Sequence, residues 1–227
     1  MILFSDLHLF GKENRSISVA PESVHHLFGL LQHYHAKGYA LYGLGDILEG
    51  WRFRPRQILK LHPDFSWFII RHVTIIRGNH DWDVWKKIER TFDKRTYEFL
   101  TIGPFFFSHG HELDPLNRRH AWYSKYATKF SGVLKRLGLD TDRAKNRMRE
   151  RHADYIKKIY RRHAARLAAT IAPDAHVFCF GHIHMPYIDT TDPAHVVVNL
   201  GSIASHLRAY SYAEVTAREI TLWKIEL

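Results

Sequence analysis

Five short pieces of this sequence concentrate side chains able to do chemistry. They are "SDLH" with Asp6 and His8, "GLGD" with Asp46, "RGNHD" with Asn79, His80 and Asp81, "SHGHE" with His109, His111 and Glu112, and "FGHIHM" with His182 and His184. Nearly every piece follows an apolar run and carries a glycine, as backbone drawn close to a crowded site requires. A tight turn accounts for Gly78 and Asn79, which tolerate left-handed backbone, but not for His80 and Asp81. Imidazole, carboxylate and amide oxygen in one set suit borderline or hard divalent ions such as Mn²⁺, Fe²⁺ or Zn²⁺. The absence of cysteine from the set argues against a thiolate zinc site. On a strand, Asp6 and His8 at i and i+2 point the same way, as do His182 and His184. Two such clamps bridged by Asp46 would hold two ions ~3.5–4 Å apart, the spacing that grips attacking and leaving oxygens in displacement at phosphorus.

The elements that must position these residues alternate in type over the first half of the chain. "MILFS", "YALYGLGD" and "HVTIIRGNHD" read as strands; "PESVHHLFGLLQHYHAKG" reads as a helix with Pro21 at its start and Gly38 past its end, and a second helix is expected within 54–70. Strands separated by helices argue for an α/β architecture whose strands are buried on both faces. The polar residues then fall just past strand ends, where ligands bind in open α/β sheets. From residue 96 the pattern changes to closely spaced strands, "TYEFLTIG" and "PFFFSHG", and later "HVFCFGHIH", "HVVVNLGS", "YSYAEV" and "EITLWKIEL". Two facing mixed sheets flanked by helices summarise the whole.

The chain has 227 residues, 45% of them hydrophobic and 25% charged, enough for one sizeable core and too few for two comfortable domains. We therefore expect a single domain over 1–227 with a basic helical insertion at about 115–170. The net charge of +10 is concentrated there, since residues 115–166 hold 16 Lys and Arg against 4 Asp and Glu. Trp122, Tyr126, Phe130 and Leu137 space one apolar helix face; Tyr155, Ile156, Ile159, Tyr160 and Leu167 space a second, so the insertion reads as a helical hairpin. A basic segment of this kind favours anionic partners, whether phospholipid surface, nucleotide or nucleic acid. The lone Cys179 lies in the apolar "HVFCF" and reads as core. No disulfide is available, no apolar run reaches the ~20 residues of a membrane span, and "MILFS" is too short for a signal peptide, so a cytoplasmic location is expected. His111 and Glu112 read as supports of the site rather than ligands. His206 and Arg208 are weaker candidates for a substrate phosphate. The histidines at 25, 26, 33, 35, 120, 152 and 163, like Trp82, read as surface or packing residues.

Asp-x-His, Gly-Asp, Gly-Asn-His-Asp, His and Gly-His-x-His, in that order over residues 4 to about 202, resemble the signature of the calcineurin-like metallophosphoesterases. The resemblance implies a four-layer αββα sandwich and two divalent ions, most often Mn²⁺, with Fe²⁺, Zn²⁺ or Ni²⁺ as alternatives. Asp6, His8, Asp46 and His184 would bind one ion, and Asp46, Asn79, His109 and His182 the other. The implied activity is hydrolysis of a phosphate ester or pyrophosphate by a metal-bridging hydroxide. His80 would meet the phosphoryl or leaving-group oxygen, and Asp81 would fix its tautomer. "SDLHL", the helical insert after the "HG" block and "VVVNLGSIASHLRAYSYAEV" further resemble the UDP-2,3-diacylglucosamine pyrophosphohydrolase branch. That branch implies a lid for acyl chains and peripheral contact with the inner membrane face. The chain departs from the branch in having His80 where Arg is usual and "HGHE" where His-Gly-Asp is usual. The alternative is a phosphodiesterase of nucleotides or nucleic acid using the basic hairpin as a phosphate clamp. A non-catalytic scaffold fits less well, because every ligand position is retained.

Overall fold

The computed structural model describes residues 1–9, 21–113, 151–202 and 209–226. The first hairpin stripe, His120, His206 and Arg208 lie outside the described residues. The first sheet contains β1 (Ile2–Phe4), β2 (Leu41–Leu44), β3 (Val73–Ile76), β4 (Thr96–Tyr97), β10 (Ala209–Val215) and β11 (Ile220–Glu226), in the order β11-β10-β1-β2-β3-β4. β1 to β4 run parallel, and the last two strands return antiparallel. The second sheet, β5-β6-β7-β9-β8, is built from β5 (Phe99–Ile102), β6 (Phe105–Ser108), β7 (Val177–Phe180), β8 (Tyr187–Asp189) and β9 (Val196–Asn199). Its middle strands β6, β7 and β9 are parallel, and both edge strands are antiparallel. Both sheets are mixed, as expected.

Period-two alternation in short apolar strands divides their side chains between layers. Ile2, Phe4, Val73 and Ile75 face outward from the first sheet and pack with Leu27 and Leu31 of α1 (Pro21–Ala36), Ile69 of α3 (Pro63–His72) and Trp85 of α4 (Trp82–Phe92). Leu3, Leu44 and Ile76 face the other way and meet Phe107, Cys179 and Val198 of the second sheet. Beyond that sheet, Phe106, Phe178 and Phe180 pack on Tyr160, Ala164 and Leu167 of α5 (Ala153–Thr170). Three apolar layers thus separate helix, sheet, sheet and helix. Cys179 is fully buried in the middle one.

The elements differ from the sequence pattern in identifiable places. α1 starts on Pro21 and gives way to Gly38, whose φ of 81° continues the chain in a conformation that favours glycine. The helix expected within 54–70 is two, α2 (Pro55–Leu61) and α3, because Pro63 begins a new helix. "TYEFLTIG" contributes β4 to the first sheet and β5 to the second. β8 was not anticipated, since a three-residue edge strand leaves almost no pattern. The second hairpin stripe belongs to α5, whose buried face at Tyr160, Ala164 and Leu167 is the outer helical layer of the second sheet. Among the described residues no helix is long and apolar enough to cross a membrane.

Candidate metal centre

All five chemical pieces leave the C-terminal ends of parallel strands. Asp6 and His8 follow β1, Asp46 follows β2, and Asn79 and His80 follow β3; from the facing sheet, His109 follows β6, and His182 and His184 follow β7. The strands end before the clamps, so the pleat does not aim Asp6, His8, His182 or His184. Left-handed backbone does. Asp6, His8, Asp46, His182 and His184 have φ of 54°, 46°, 53°, 69° and 54°. Asp and His enter this region more readily than most side chains. The loops remain tied together: Asp6 N–H donates to Gly45 O (3.0 Å), His8 N–H to Asp46 O (2.9 Å) and Gly181 N–H to His109 O (3.1 Å).

Six of the seven sequence-predicted ligands, with the predicted catalytic residue His80, converge as three overlapping groups, Asp6 with His8 and His184, His8 with Asp46 and His80, and Asp46 with His109 and His182. In the first, His184 Nε2 lies 3.1 Å from Asp6 Oδ1 and 3.3 Å from His8 Nε2. In the third, His109 Nε2 lies 3.2 Å from Asp46 Oδ2 and 3.2 Å from Asn79 Oδ1. His8 links the first group to the second, and Asp46 the second to the third. The close approach needs glycine at Gly78, where a Cβ would fall on the Asp46 carboxylate, and at Gly181, where it would strike Ser5 and Asp6.

These residues fit metal ions on chemical grounds. His109 Nδ1 lies 2.8 Å from the Leu44 carbonyl. An acceptor there holds the ring proton on Nδ1, so the Nε2 lone pair of the neutral imidazole faces the Asp46 and Asn79 oxygens. Three electron-pair donors aimed at one another require a cation between them or an extra proton. Asp6 Oδ1, fully buried, has no hydrogen bond among the described residues, although its partner Oδ2 accepts from Ser5 Oγ and from His182 N–H (2.8 Å). Proton affinities carry the same message. Burial alone would lower His109, yet Asp46 beside it prevails and lifts the imidazole to about 10. His8, also opposed by burial, is lifted to about 9 by its hydrogen bond to Glu49 and by Asp46. Burial would raise Asp6, Asp46 and Glu49, but His184, His109 and His80 respectively hold them below the ordinary carboxylate range. The site is anionic and draws in positive charge.

His80 is held differently from the sequence expectation. Asp81, expected to orient it, is fully buried and accepts backbone N–H groups from Gly78 (2.8 Å), Ile47 (2.7 Å) and Leu48 (3.3 Å). The chain enters α4 immediately afterwards, which turns this carboxylate inward to pin two loops together. Burial and then Asp46 push it up to about 6. Glu49 is the carboxylate on His80, with Oε1 3.0 Å from Nδ1, and its Oε2 lies 3.4 Å from His8 Nδ1. Sequence reasoning missed Glu49. Its signal was an acidic residue three positions after Asp46 inside the otherwise apolar "ILEGW". His80 N–H donates to Asp46 Oδ1 (2.8 Å), and its Nε2 lies 4.0 Å from Asp46 Oδ2. His111 stands beside the third group, with its ring 5.5 Å from that of His109, while Glu112 accepts from Ser108 Oγ at 2.9 Å. Trp82 packs outside, beneath the Arg77 guanidinium at 4.3 Å.

Two sheets whose parallel strand ends present this histidine, carboxylate and amide cluster form a site able to hold divalent metal ions. A family model for the calcineurin-like phosphoesterase superfamily domain matches residues 1–219. The chain belongs to that superfamily, and the family implies a dinuclear divalent centre. Among solved structures, a dimetal phosphatase from Danio rerio is similar in fold with a TM-score of 0.50 at 13% identity, covering 98% of this chain and 94% of its own. A predicted phosphoesterase from Streptococcus pneumoniae TIGR4 gives 0.46 at 17% identity, covering 99% and 87%. A metallophosphoesterase from Sphaerobacter thermophilus gives 0.43 at 16%, also covering 99% and 87%. Comparison with curated proteins finds no match.

Proposed function

We propose that this chain, as one domain, hydrolyses a phosphate ester or pyrophosphate bond at two divalent ions. Asp6, His8, Asp46 and His184 hold one, and Asp46, Asn79, His109 and His182 the other. The observation that carries the reading is the meeting of His109 Nε2, Asp46 Oδ2 and Asn79 Oδ1 at 3.2 Å with the ring proton committed to Leu44 O. Bound ions, Mn²⁺ in our reading, would supply charge neutralisation at the phosphoryl oxygens and activation of water. The chain's own residues do the rest. Glu49 keeps a proton on His80 Nδ1, so Nε2 is the atom offered to substrate. A second proton there gives an imidazolium whose charge Glu49 balances, able to donate to a phosphoryl or leaving-group oxygen. Asp46 fixes the backbone of His80, and Asp81 fixes the loop that carries it.

For the substrate we favour a nucleotide-lipid pyrophosphate of the UDP-2,3-diacylglucosamine type, met by a cytoplasmic enzyme at the membrane face. Support comes from the sequence blocks shared with that branch and the basic 115–166 segment. The test is turnover by metal-stripped and Mn²⁺-reconstituted protein of bis-p-nitrophenyl phosphate, detergent-dispersed UDP-2,3-diacylglucosamine and short oligonucleotides. Two ions per chain and metal-dependent cleavage are expected, and absence of both overturns the activity. Cleavage of oligonucleotides with no turnover of the lipid overturns the substrate alone. His80→Ala should keep both ions and lower turnover about 10²–10⁴-fold, most with poor leaving groups.

A further inference from the structure

The loop after β2 grips His80 twice. Glu49 holds its Nδ1 edge, and two residues on Trp51 lies flat against its face, with ring centroids 3.7 Å apart and planes inclined by 21°. The ring of His8 closes on it edge-on at 4.7 Å with planes at 76°. Between the two gripping residues sits Gly50, where any Cβ would collide with the His80 carbonyl and the Val84 side chain. The tripeptide backbone is therefore packed directly against the His80 segment at Gly50. Trp51 itself is only half-buried, so core packing does not account for placing so large a ring here.

We propose that Trp51 is a positioning residue for the phosphoesterase reaction. Its indole face sets the ring plane of His80, so that Nε2 rather than a rotated edge meets the substrate, and covers that face from water. The inference rests on the proposed role of His80. A hydrogen bond to Glu49 fixes one atom of the imidazole but leaves the ring able to swing about the Nδ1 axis. A flat neighbour on one face and an edge on another remove that motion, and orientation of a reacting group within a few tenths of an ångström governs rate.

The test is a double-mutant cycle on the Mn²⁺-loaded full chain with a phosphodiester of poor leaving group. Trp51→Ala should lower kcat about three- to tenfold, the span an aromatic pair's energy corresponds to, with KM and the two-ion stoichiometry unchanged. Trp51→Phe should recover most of the loss and guards against a folding defect in the alanine variant. In a His80→Ala background, Trp51→Ala should have no further effect, because the residue acts through the imidazole. Equal losses in both backgrounds, or a loss confined to KM, would overturn the role of Trp51 and leave that of His80 standing. Full activity of His80→Ala by itself would overturn the role of His80 and that of Trp51 with it.

Discussion

Replacing Glu49 by Gln separates its two duties at the centre. The substitution preserves volume and one acceptor oxygen but removes the charge that faces His80 Nδ1 at 3.0 Å and His8 Nδ1 at 3.4 Å. A hydrogen bond to a charged group contributes roughly 1.5–3 kcal/mol, and at a site 6% exposed solvent recovers little of it. At about 1.4 kcal/mol per tenfold, the loss at His80 alone corresponds to roughly a 10- to 100-fold fall in kcat. The weaker contact to His8 would bear on an ion bound, as proposed, with Asp6 and His184, and removing such a support costs on the order of tenfold in metal affinity. The assay is steady-state kinetics with good and poor leaving groups over a Mn²⁺ titration, beside calorimetric metal binding. Excess Mn²⁺ should restore occupancy and leave the kcat deficit, which should be larger for the poor leaving group. Complete recovery of kcat by excess metal would refute the His80 half of the reasoning. Wild-type metal affinity together with wild-type kcat would refute both halves.

Without metal, folding stability should depend on pH in a way that metal abolishes. His8 and His109 stand at about 9 and about 10 when folded, so the stability they contribute is complete below their ordinary value of about 6.5 and is lost as pH rises through 9 to 10. Asp6, Asp46 and Glu49 are held low, so their contribution is present above about 4 and is lost in acid. Metal-free protein should therefore melt several degrees lower at pH 9.5 than at pH 6.5, whereas Mn²⁺-loaded protein should not show that alkaline fall; calorimetry checks both. Gly78→Ala should destabilise the fold by several kcal/mol or displace Asp46, because its Cβ falls on that carboxylate; equal melting temperature with two bound ions would contradict this. Asp81→Asn leaves backbone donors from Gly78, Ile47 and Leu48 competing for one amide oxygen, and should cost about 1–3 kcal/mol of stability, read by denaturant midpoint.

The chain shows its sheet strands and ligand types plainly and hides the geometry that aims them. Val, Ile and Phe runs place β1, β3, β6 and β7 because burial on two faces demands continuous apolar residues. They cannot show that "TYEFLTIG" splits at Glu98, since both pieces have strand character and sheet membership depends on pairing partners far along the chain. Asp81 and Glu49 make the same point at the site. Adjacency suggested that Asp81 serves His80, but a turn entering a helix sends neighbouring side chains in different directions, and the nearer carboxylate comes from a residue 31 positions away.

Left-handed backbone at the ligands carries that lesson into energetics. Of the six non-glycine residues at positive φ among those described, five are Asp6, His8, Asp46, His182 and His184. Each departs from its preferred backbone at a cost on the order of 1 kcal/mol, so this arrangement opposes folding by several kcal/mol before like charges are counted. The parallel strand ends offset it by tying loop to loop through Asp6 N to Gly45 O, His8 N to Asp46 O and Gly181 N to His109 O. Asn199 Nδ2 adds a 2.7 Å bond to Gly181 O at the next strand end. The scaffold thus sets the directions of these side chains. In a strand, i and i+2 side chains would stand on one face about two residues' rise apart. The left-handed turns instead bring Asp6 Oδ1 and His8 Nε2 to 3.8 Å, close enough to share one ion. A sequence pattern shows which residues can ligate; the bends that make their lone pairs meet are set by two sheets holding five strand ends in register.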